Sequence, residues 1–368
     1  MDLTDPKLNK KIYKKTVAVI GTAGIPANYG GFETLVEYLV EHLSKETNFI
    51  VYCSGRNYTV KDNHYKGAKL VFVPINANGK WSVVYDSICV FHSLFVADTL
   101  LILGVGGAFL LPLVKLFTRK RIITNIDGLE WKRDKWSKSV KKYLYILESI
   151  AVKVSNVIIA DNLGIKKYVR KKYEVESCLI AYGGSHAFHT NLKDETIQQY
   201  QIRLPYAFTV CRIEPENNIH IILEAFSQTN KNLTFIGNWT ASTYGKDLKT
   251  TYGKFSNINL IDPIYDQALL NEIRSNCCLY VHGHSAGGTN PSLVEAMWLG
   301  LPIFAWNVNY NRYTTQNTAL FFRSIESLVV MLTTKSESEI EAIGPRLKQI
   351  AKQEYNWEKI TRAYYKLF

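Results

Sequence analysis

The stretch that decides the fold is TVAVIGTAGIPANYGGFE, residues 16–33. An apolar run ends at Gly21, further glycines follow, and a helical pattern begins at Thr34. Glycines between a strand and a helix allow backbone N–H groups to approach a phosphate at the positive end of the helix. Their spacing is not G-x-G-x-x-G, which argues against a dinucleotide site. We therefore expect a strand–loop–helix unit that binds a phosphorylated ligand, with a glycine-rich turn without a ligand as the alternative.

Apolar runs of strand length alternate with helical patterns along the chain, which is typical of parallel sheets with crossover helices. The first series of strand candidates is Val17–Gly21, Phe49–Cys53, Leu70–Pro74, Thr99–Leu103, Arg121–Asn125, Val157–Ala160 and Cys178–Ala181. The second is Phe208–Cys211, Leu233–Ile236, Ile258–Ile261, Cys278–Val281, Pro302–Ala305 and Ala319–Phe322. A length of 368 residues also favours two cores. The sequence predicts an α/β protein with two Rossmann-like domains, residues 1–204 and 205–350.

The charge balance limits the class of partner. Lys and Arg number 44 against 32 Asp and Glu, a formal net charge of +12. This charge suits phosphorylated ligands, anionic membrane surfaces or nucleic acid. We expect no nucleic-acid partner, because no basic and aromatic recognition module is visible.

Two patterns bear on location. The polar, lysine-rich opening residues lack the apolar core of a signal peptide, and none of the six cysteines forms a C-x-x-C pair, so we expect a cytoplasmic protein with reduced cysteines. Residues 88–117 are apolar enough to suggest a membrane span. Polar residues and glycines interrupt them, however, which favours a helix, a buried strand and a second helix.

The stretch HGHSAGGTNPSLVEAM, residues 282–297, is again a strand end, a loop of small residues and a helix. Pro291 suits the first helical position. The amides of Gly288 to Asn290 would then point at an anion. Glu295, in an otherwise apolar helix, could accept hydrogen bonds from a ribose, and the alternative is a solvated helix glutamate.

Two more motifs follow predicted strands, at the sheet edge where open parallel sheets bind ligands. In CRIEPENN, residues 211–218, Arg212 has a planar fork suited to a diphosphate, although such an arginine could also form a surface ion pair. In TNIDGLEWKR, residues 124–133, Asp127 could act in a cleft or simply shape a turn. The sequence contains no D-x-D pair and no H-E-x-x-H motif, so we expect neither a metal nor a cofactor.

Together these motifs resemble those of GT-B glycosyltransferases of family 4, and within it the bacterial rhamnosyltransferase-like group. The resemblance extends to the closing NWEKITR, residues 356–362, which is similar to the last helix of that fold. It implies two domains facing a central cleft, with the acceptor on the first and the nucleotide on the second. It also implies that residues 351–368 form a helix that returns to the first domain.

The resemblance also implies roles for individual residues. Arg212 would hold the diphosphate of the donor, and Glu295 would hold its ribose. The amides of Gly288 to Asn290 would bind the phosphates or the sugar. Gly30 and Gly31 would close on the donor from the other side, and Ile264 would flank the base. Two positions depart from the wider family: Asn218 stands where a lysine is usual, and Gly287 where a first glutamate is usual. We therefore expect Thr289 and Asn290 to supply sugar contacts.

The implied activity is metal-independent, retaining transfer of a sugar, with L-rhamnose from dTDP-rhamnose as the best candidate, in capsule or cell-wall polysaccharide synthesis. Asp127 would orient the acceptor hydroxyl or take its proton, and Arg212 would stabilise the departing diphosphate. Contacts to the acceptor are expected from Glu130, Trp131 and Arg133.

Family relatives extend lipid-linked intermediates, so an undecaprenyl-diphosphate-linked acceptor is implied. Because such an acceptor lies in a membrane, we also expect peripheral contact with an anionic membrane surface through Lys138, Lys141 and Lys142. Three alternatives remain open: a transferase using UDP-glucose or UDP-galactose, a nucleotide-sugar epimerase, and a non-catalytic protein that binds nucleotide sugars.

Overall fold

The structure, a computed structural model, describes residues 14–27, 30–133 and 136–368. Asn28 and Tyr29 of the first glycine-rich motif lie outside this description, as do the opening residues on which the signal-peptide expectation rests. The described chain folds into two α/β domains, each built on one sheet, as the sequence predicted.

The first sheet has eight strands in the order β3-β4-β2-β1-β5-β6-β7-β8. Every pairing in it is parallel except that of β3 with β4. The strands are β1 (Thr16–Ile20), β2 (Asn48–Ser54), β3 (His64–Tyr65), β4 (Ala68–Val73), β5 (Thr99–Leu103), β6 (Arg121–Asn125), β7 (Val157–Ala160) and β8 (Cys178–Leu179). Helices cover both faces of this sheet, which explains why its strands read as continuous apolar runs.

The second sheet has six strands, all parallel, in the order β11-β10-β9-β12-β13-β14. The strands are β9 (Tyr206–Val210), β10 (Asn232–Ile236), β11 (Ile258–Ile261), β12 (Leu279–His282), β13 (Ile303–Trp306) and β14 (Leu320–Phe322). The order reverses direction between β9 and β12, so the loops after these two neighbouring strands open onto one crevice at their carboxyl ends.

Helices fill the connections. Those that begin before β9 are α1 (Gly31–Leu43), α2 (Ser82–Val96), α3 (Leu111–Phe117), α4 (Lys138–Val154), α5 (Leu163–Tyr173) and α6 (Asp194–Tyr200). Those that follow are α7 (Ile219–Ser227), α8 (Thr243–Tyr252), α9 (Gln267–Ser275), α10 (Pro291–Leu299), α11 (Asn309–Thr314), α12 (Ile325–Thr334), α13 (Glu337–Glu341), α14 (Gly344–Glu354) and α15 (Trp357–Tyr365).

The two cores do not divide at the predicted boundary. A boundary after residue 204 assigns α6 to the first domain, whereas Leu192, Tyr200 and Ile202 pack into a core of the second. Helix α15 crosses back, because Trp357 and Tyr364 are buried in the core beneath α1.

The apolar segment 88–117 forms the end of α2, then β5 and α3, as predicted. Among the described residues, no helix combines the length and the apolar character needed to cross a bilayer.

Asp86 is a buried carboxyl group on the inner side of α2. It packs against the loop after β5, where Gly106 leaves room for it. A Cβ on Gly106 would lie 2.2 Å from the Asp86 Oδ2 atom. Burial raises the pKa of Asp86 to about 8. An unfolded aspartate has a pKa of about 4. Between these two pKa values, Asp86 is protonated in the folded protein and ionised in the unfolded chain. The free energy of unfolding therefore falls as pH rises through this range, by up to about 1.4 kcal/mol per pH unit.

Replacing Asp86 by Asn should remove this dependence. We expect the stability of Asp86→Asn relative to the native protein to increase steadily from roughly pH 5 to pH 8, measured by urea unfolding. The exposed Asp247→Asn variant is the control and should show no such trend. A difference between Asp86→Asn and the native protein that is constant with pH would contradict the assignment.

Candidate active site

The candidate site lies where the carboxyl ends of the two sheets face each other. Several close approaches join the domains, and three of them lie at the glycine-rich loops. A Cβ on Gly128 would lie 2.6 Å from the Gly287 Cα, and one on Gly31 would lie 3.1 Å from the Pro291 Cγ. The third is a hydrogen bond from the Thr289 amide to Asp161 Oδ2, at 2.9 Å. The cleft is therefore closed in this structure, and glycines allow its walls to touch.

Glu33 fixes the glycine-rich loop after β1. Its Oε1 atom accepts hydrogen bonds from Thr22 Oγ1 at 2.9 Å and from the Ala23 amide at 2.7 Å. Burial raises the pKa of Glu33, against the effect of these bonds. Gly30 has a φ of 101°, a conformation that favours glycine, and Gly31 begins α1 directly opposite α10. Both predicted glycines thus lie in the cleft wall.

Two arginines from opposite domains meet at Glu214. The side chain of Arg212, after β9, places its Nη2 atom 3.6 Å from Glu214 Oε2. Arg133, in the loop after β6, places its Nη1 atom 3.8 Å from the same oxygen and its Nε atom 2.7 Å from Glu130. Since guanidinium groups bind carboxylate and phosphate alike, this arrangement can hold a diphosphate in the cleft. Arg133 was predicted to contact the acceptor, and its position also allows contact with the donor.

Two acids of the first domain interact beside this point: Asp127, which is half-buried, and Asp161, which is buried. Burial raises the pKa of Asp127, the nearby Glu130 adds to the effect, and Arg133 and Arg212 oppose it. Burial also raises the pKa of Asp161, and repulsion from Asp127 raises it further. The structure therefore places Asp127, which was predicted to orient the acceptor hydroxyl or take its proton, in the cleft within electrostatic reach of Arg212. Nothing in the sequence pattern singled out Asp161.

The loop before α10 differs in part from the expectation. The amide of Thr289 was predicted to point at an anion, yet it donates to Asp161, and Thr289 Oγ1 donates to the Asp161 carbonyl oxygen at 2.6 Å. Asn290 caps α10, because its Oδ1 atom accepts from the Ser292 amide at 3.2 Å. Within the described part of the chain, the amides of Gly288 and Asn290 donate to no protein acceptor. Those two amides can still bind a phosphate oxygen.

Glu295 is buried and held on both of its oxygens. Arg274, itself almost fully buried, forms an ion pair with Oε2. His186 Nδ1 accepts a hydrogen bond from the Trp357 indole at 2.9 Å, so its proton resides on Nε2, which donates to Glu295 Oε1 at 2.9 Å. Burial raises the pKa of Glu295, but Arg274 and His186 outweigh it and lower the pKa to about 2. The carboxylate is thus ionised and fixed in orientation, and it can still accept hydrogen bonds through its remaining lone pairs.

Separating this pair should destabilise the protein. We expect Glu295→Gln to lose about 3–5 kcal/mol of unfolding free energy, because it leaves a buried guanidinium without its anion. The double variant Glu295→Gln with Arg274→Met should recover a large part of that loss. Urea unfolding measures both, with the exposed Glu326→Gln as the control. A single variant within about 1 kcal/mol of the native protein would contradict a tightly paired carboxylate.

Several groups in the second wall have no hydrogen-bond partner among the described residues: both carboxylate oxygens of Glu216, both ring nitrogens of His282, and Nδ1 of His284. The two imidazole rings stack at 4.3 Å. Burial lowers the pKa of His282 to about 3. Burial, His282 and the nearby arginines Arg212 and Arg133 hold the pKa of His284 well below its ordinary value. Buried polar atoms without partners are rare, so these neutral histidines and Glu216 mark positions where a ligand can bind.

The remaining predicted residues lie around this centre. Asn218 donates from Nδ2 to the Gly283 carbonyl oxygen at 2.8 Å, which ties the loops after β9 and β12 together. Ile264 packs partly against the second core, after β11. Glu130 pairs with Arg133 at the cleft. Trp131 turns away from the cleft and donates its indole N–H to Glu148 at 3.0 Å.

Comparisons with known proteins divide the chain in the same two parts. Residues 14–185 match the family described as "Domain of unknown function (DUF1972)", and residues 193–324 match the family described as "Glycosyl transferases group 1". No curated protein matches the sequence.

Several solved structures share the whole fold. A sucrose-phosphate synthase from Thermosynechococcus elongatus is 14% identical with a TM-score of 0.78, over 96% of this chain and 98% of that one. HepE from Anabaena, in complex with UDP-glucose, is 13% identical with a TM-score of 0.73, over 96% and 98%. WaaG, a glycosyltransferase involved in lipopolysaccharide biosynthesis, is 13% identical with a TM-score of 0.69, over 95% and 99%. The group 1 domain and the shared two-domain architecture support a glycosyltransferase of the GT-B type.

Proposed function

We propose that the protein is a retaining glycosyltransferase that moves a sugar from a nucleotide donor to a glycan or lipid-linked oligosaccharide in bacterial surface polysaccharide synthesis. The observation that carries the proposal is the meeting of Arg133 and Arg212, from opposite domains, in the cleft that also contains Asp127 and the start of α10. Cleavage of a glycosyl–phosphate bond develops negative charge on the diphosphate, and preorganised cations stabilise that charge.

The donor would lie mainly on the second domain. Its diphosphate would replace Glu214 as the partner of the two guanidinium groups, with the amides of Gly288 and Asn290 as further donors. Glu295 would accept hydrogen bonds from the ribose in the orientation that Arg274 and His186 impose. His284 and Glu216 would contact the sugar or phosphates, since their polar atoms are buried next to this space.

The acceptor would approach from the first domain. Asp127 would orient its hydroxyl group or take its proton, and closure of the cleft would exclude water from the reacting atoms. A lipid-linked acceptor would bring the protein to an anionic membrane, where Lys138, Lys141 and Lys142 would contact the lipid phosphates.

The donor sugar has two candidates. L-Rhamnose from dTDP-rhamnose is implied by the resemblance of the opening motif and of residues 282–297 to the rhamnosyltransferase-like group. A UDP-hexose is favoured by the similarity to HepE, whose structures contain UDP and UDP-glucose. Both share a nucleoside diphosphate, so the arginine pair and Glu295 serve either donor.

A thermal-shift panel of nucleotide sugars tests the proposal. A cognate donor at 100 times its Kd stabilises by about 2.7 kcal/mol. We expect Arg212→Ala to lose most of the shift produced by the cognate donor, since it removes one of the two cations. The exposed Arg203→Ala should keep the shift. The configuration of the product, determined by NMR, reports retention, and incubation without an acceptor exposes an epimerase. A chain that no nucleotide sugar stabilises, or one that binds a donor and transfers nothing, would overturn the proposal.

A further inference from the structure

The first domain carries an unusually apolar outer surface. Of the 20 large hydrophobic side chains that are exposed in the described residues, 13 lie between Trp81 and Ile146. Scattered exposed apolar residues are normal, but a concentrated set indicates an interaction site.

Helix α2 supplies a continuous stripe to this surface. Val84, Ile88, Phe91 and Phe95 follow one another at spacings of four, three and four residues and are all exposed, which places them on one face of the helix. Phe91 and Phe95 are 63% and 74% exposed and touch edge to face, with ring centroids 5.4 Å apart. A surface helix of a globular protein usually has a polar outer face. The face of α2 that turns to solvent is instead apolar.

Helices α3 and α4 extend the surface on the same side of the domain. Tyr85 of α2, Leu111 of α3 and Leu147 of α4 share one buried cluster, so the three helices cover the same face of the first sheet. Their outer sides therefore face solvent together. There α3 exposes Leu116 and Phe117, at 74% and 76%. We call this surface, formed by the outer sides of α2, α3 and α4, the outer helical face.

The charges on the outer helical face are of one sign. Asp86 and Glu148, the only acidic residues within α2, α3 and α4, are both buried. A pocket of about 480 Å³ at the start of α4 is lined by the aromatic rings of Trp131 and Tyr145 and by four lysines: Lys132, Lys138, Lys141 and Lys142. Lys115 and Arg119 lie at the end of α3 and just beyond it. Apolar side chains are thus bordered by cations with no exposed carboxylate from these helices.

We propose that the outer helical face embeds in the surface of an anionic lipid bilayer, with Phe91, Phe95, Leu116 and Phe117 among the acyl chains and the lysine pocket on the lipid phosphates. Interfacial segments combine such apolar faces with basic residues and with Trp and Tyr at headgroup level. A second copy of the chain would bring like charges together, and a nucleic acid would not cover exposed phenylalanines. The proposal extends the lysine contact described above to apolar embedding, and it is independent of which sugar is transferred.

Flotation of the full-length protein with vesicles tests this surface. Vesicles that contain phosphatidylglycerol should carry the protein upward, and vesicles of phosphatidylcholine alone should carry much less. Phe91→Ser with Phe95→Ser should lower the partition coefficient at least about tenfold. Each of Lys138→Gln, Lys141→Gln and Lys142→Gln should lower it about fivefold at low salt. Val60→Ser with Val330→Ser removes two exposed apolar side chains elsewhere and should change nothing.

The outcomes separate the possibilities. Thermal shifts with a nucleotide sugar should be the same for the phenylalanine variant and the native protein, so a loss of flotation is distinct from a loss of transfer. Flotation of the Phe91→Ser, Phe95→Ser variant at the native level would overturn the embedding. So would a native protein that is a dimer by light scattering without lipid and becomes a monomer in this variant, because a second copy would then cover the surface.

Discussion

Asp127→Asn is expected to lower the rate of sugar transfer by about 10²- to 10⁴-fold, the usual contribution of a positioned general base. The amide keeps the size of the side chain and one acceptor oxygen but cannot take a proton. Donor binding should be unchanged, because the groups assigned to the donor, Arg212 and Glu295, remain. Steady-state kinetics and the thermal shift with the cognate donor measure the two effects separately. Asp247→Asn, on the exposed side of α8, is the matched control. Native turnover in Asp127→Asn would remove this residue from the reaction.

The same residue sets an expected pH dependence. Burial, reinforced by Glu130, raises the pKa of Asp127. A base must be deprotonated to act, so the transfer rate should fall with decreasing pH through a pKa above the ordinary range of an aspartate. If the transfer rate instead falls only near the ordinary pKa of an aspartate, the carboxyl group that controls the rate is exposed to water when the reaction occurs.

Gly128→Ala should also cause a large loss of transfer, about 10²-fold or more, because small displacements of reacting groups are that costly. The new Cβ would lie 2.6 Å from the backbone of Gly287 in the opposite domain, so full closure of the cleft becomes impossible. Gly128 does not have a positive φ, so the first domain itself should fold normally. X-ray scattering should show a more open average shape with a donor bound.

Gly31→Ala introduces a milder clash between the same two domains and serves as the comparison for Gly128→Ala. Its Cβ would lie 3.1 Å from the side chain of Pro291, a contact that a few tenths of an ångström of movement relieves. We therefore expect a loss much smaller than that of Gly128→Ala. Equal activity in the two variants would mean that closure at Gly128 and Gly287 is not required.

The strand pattern was predictable because burial on both faces leaves a direct mark on the sequence. All thirteen predicted strands are present within one or two residues, and among the strands of the described residues only the short β3 was missed. Helix α6 was harder to place, since its packing against the second core depends on contacts with residues far along the chain, such as the bond from Asn259 to the Tyr200 carbonyl oxygen at 2.7 Å.

Individual residues of the site could be predicted from the sequence, but the contacts between them could not. Motifs at the ends of strands indicated Arg212, Asp127 and Glu295 because ligand-binding loops occur there. The sequence did not reveal the residues that hold the site side chains in place, because these partners are distant along the chain. Asp161 is 128 positions from Thr289, and Arg274 is 21 positions from Glu295. Likewise, α2 is apolar on most sides, so periodicity could not distinguish its buried face from the stripe that turns to solvent.

The chain passes between the domains twice, near Ser185 and near Asn356, and the two passages are bonded to each other. The Gly184 amide donates to the Tyr355 carbonyl oxygen at 2.8 Å, and the Trp357 amide donates to Ser185 Oγ at 3.1 Å. Because the two crossings are hydrogen-bonded to each other, we expect the domains to open by a hinge rotation about this point rather than by sliding. His186 follows Ser185 directly in the chain and bonds to Glu295, so we expect the carboxylate assigned to the nucleotide to lie near the hinge and to move little when the molecule opens.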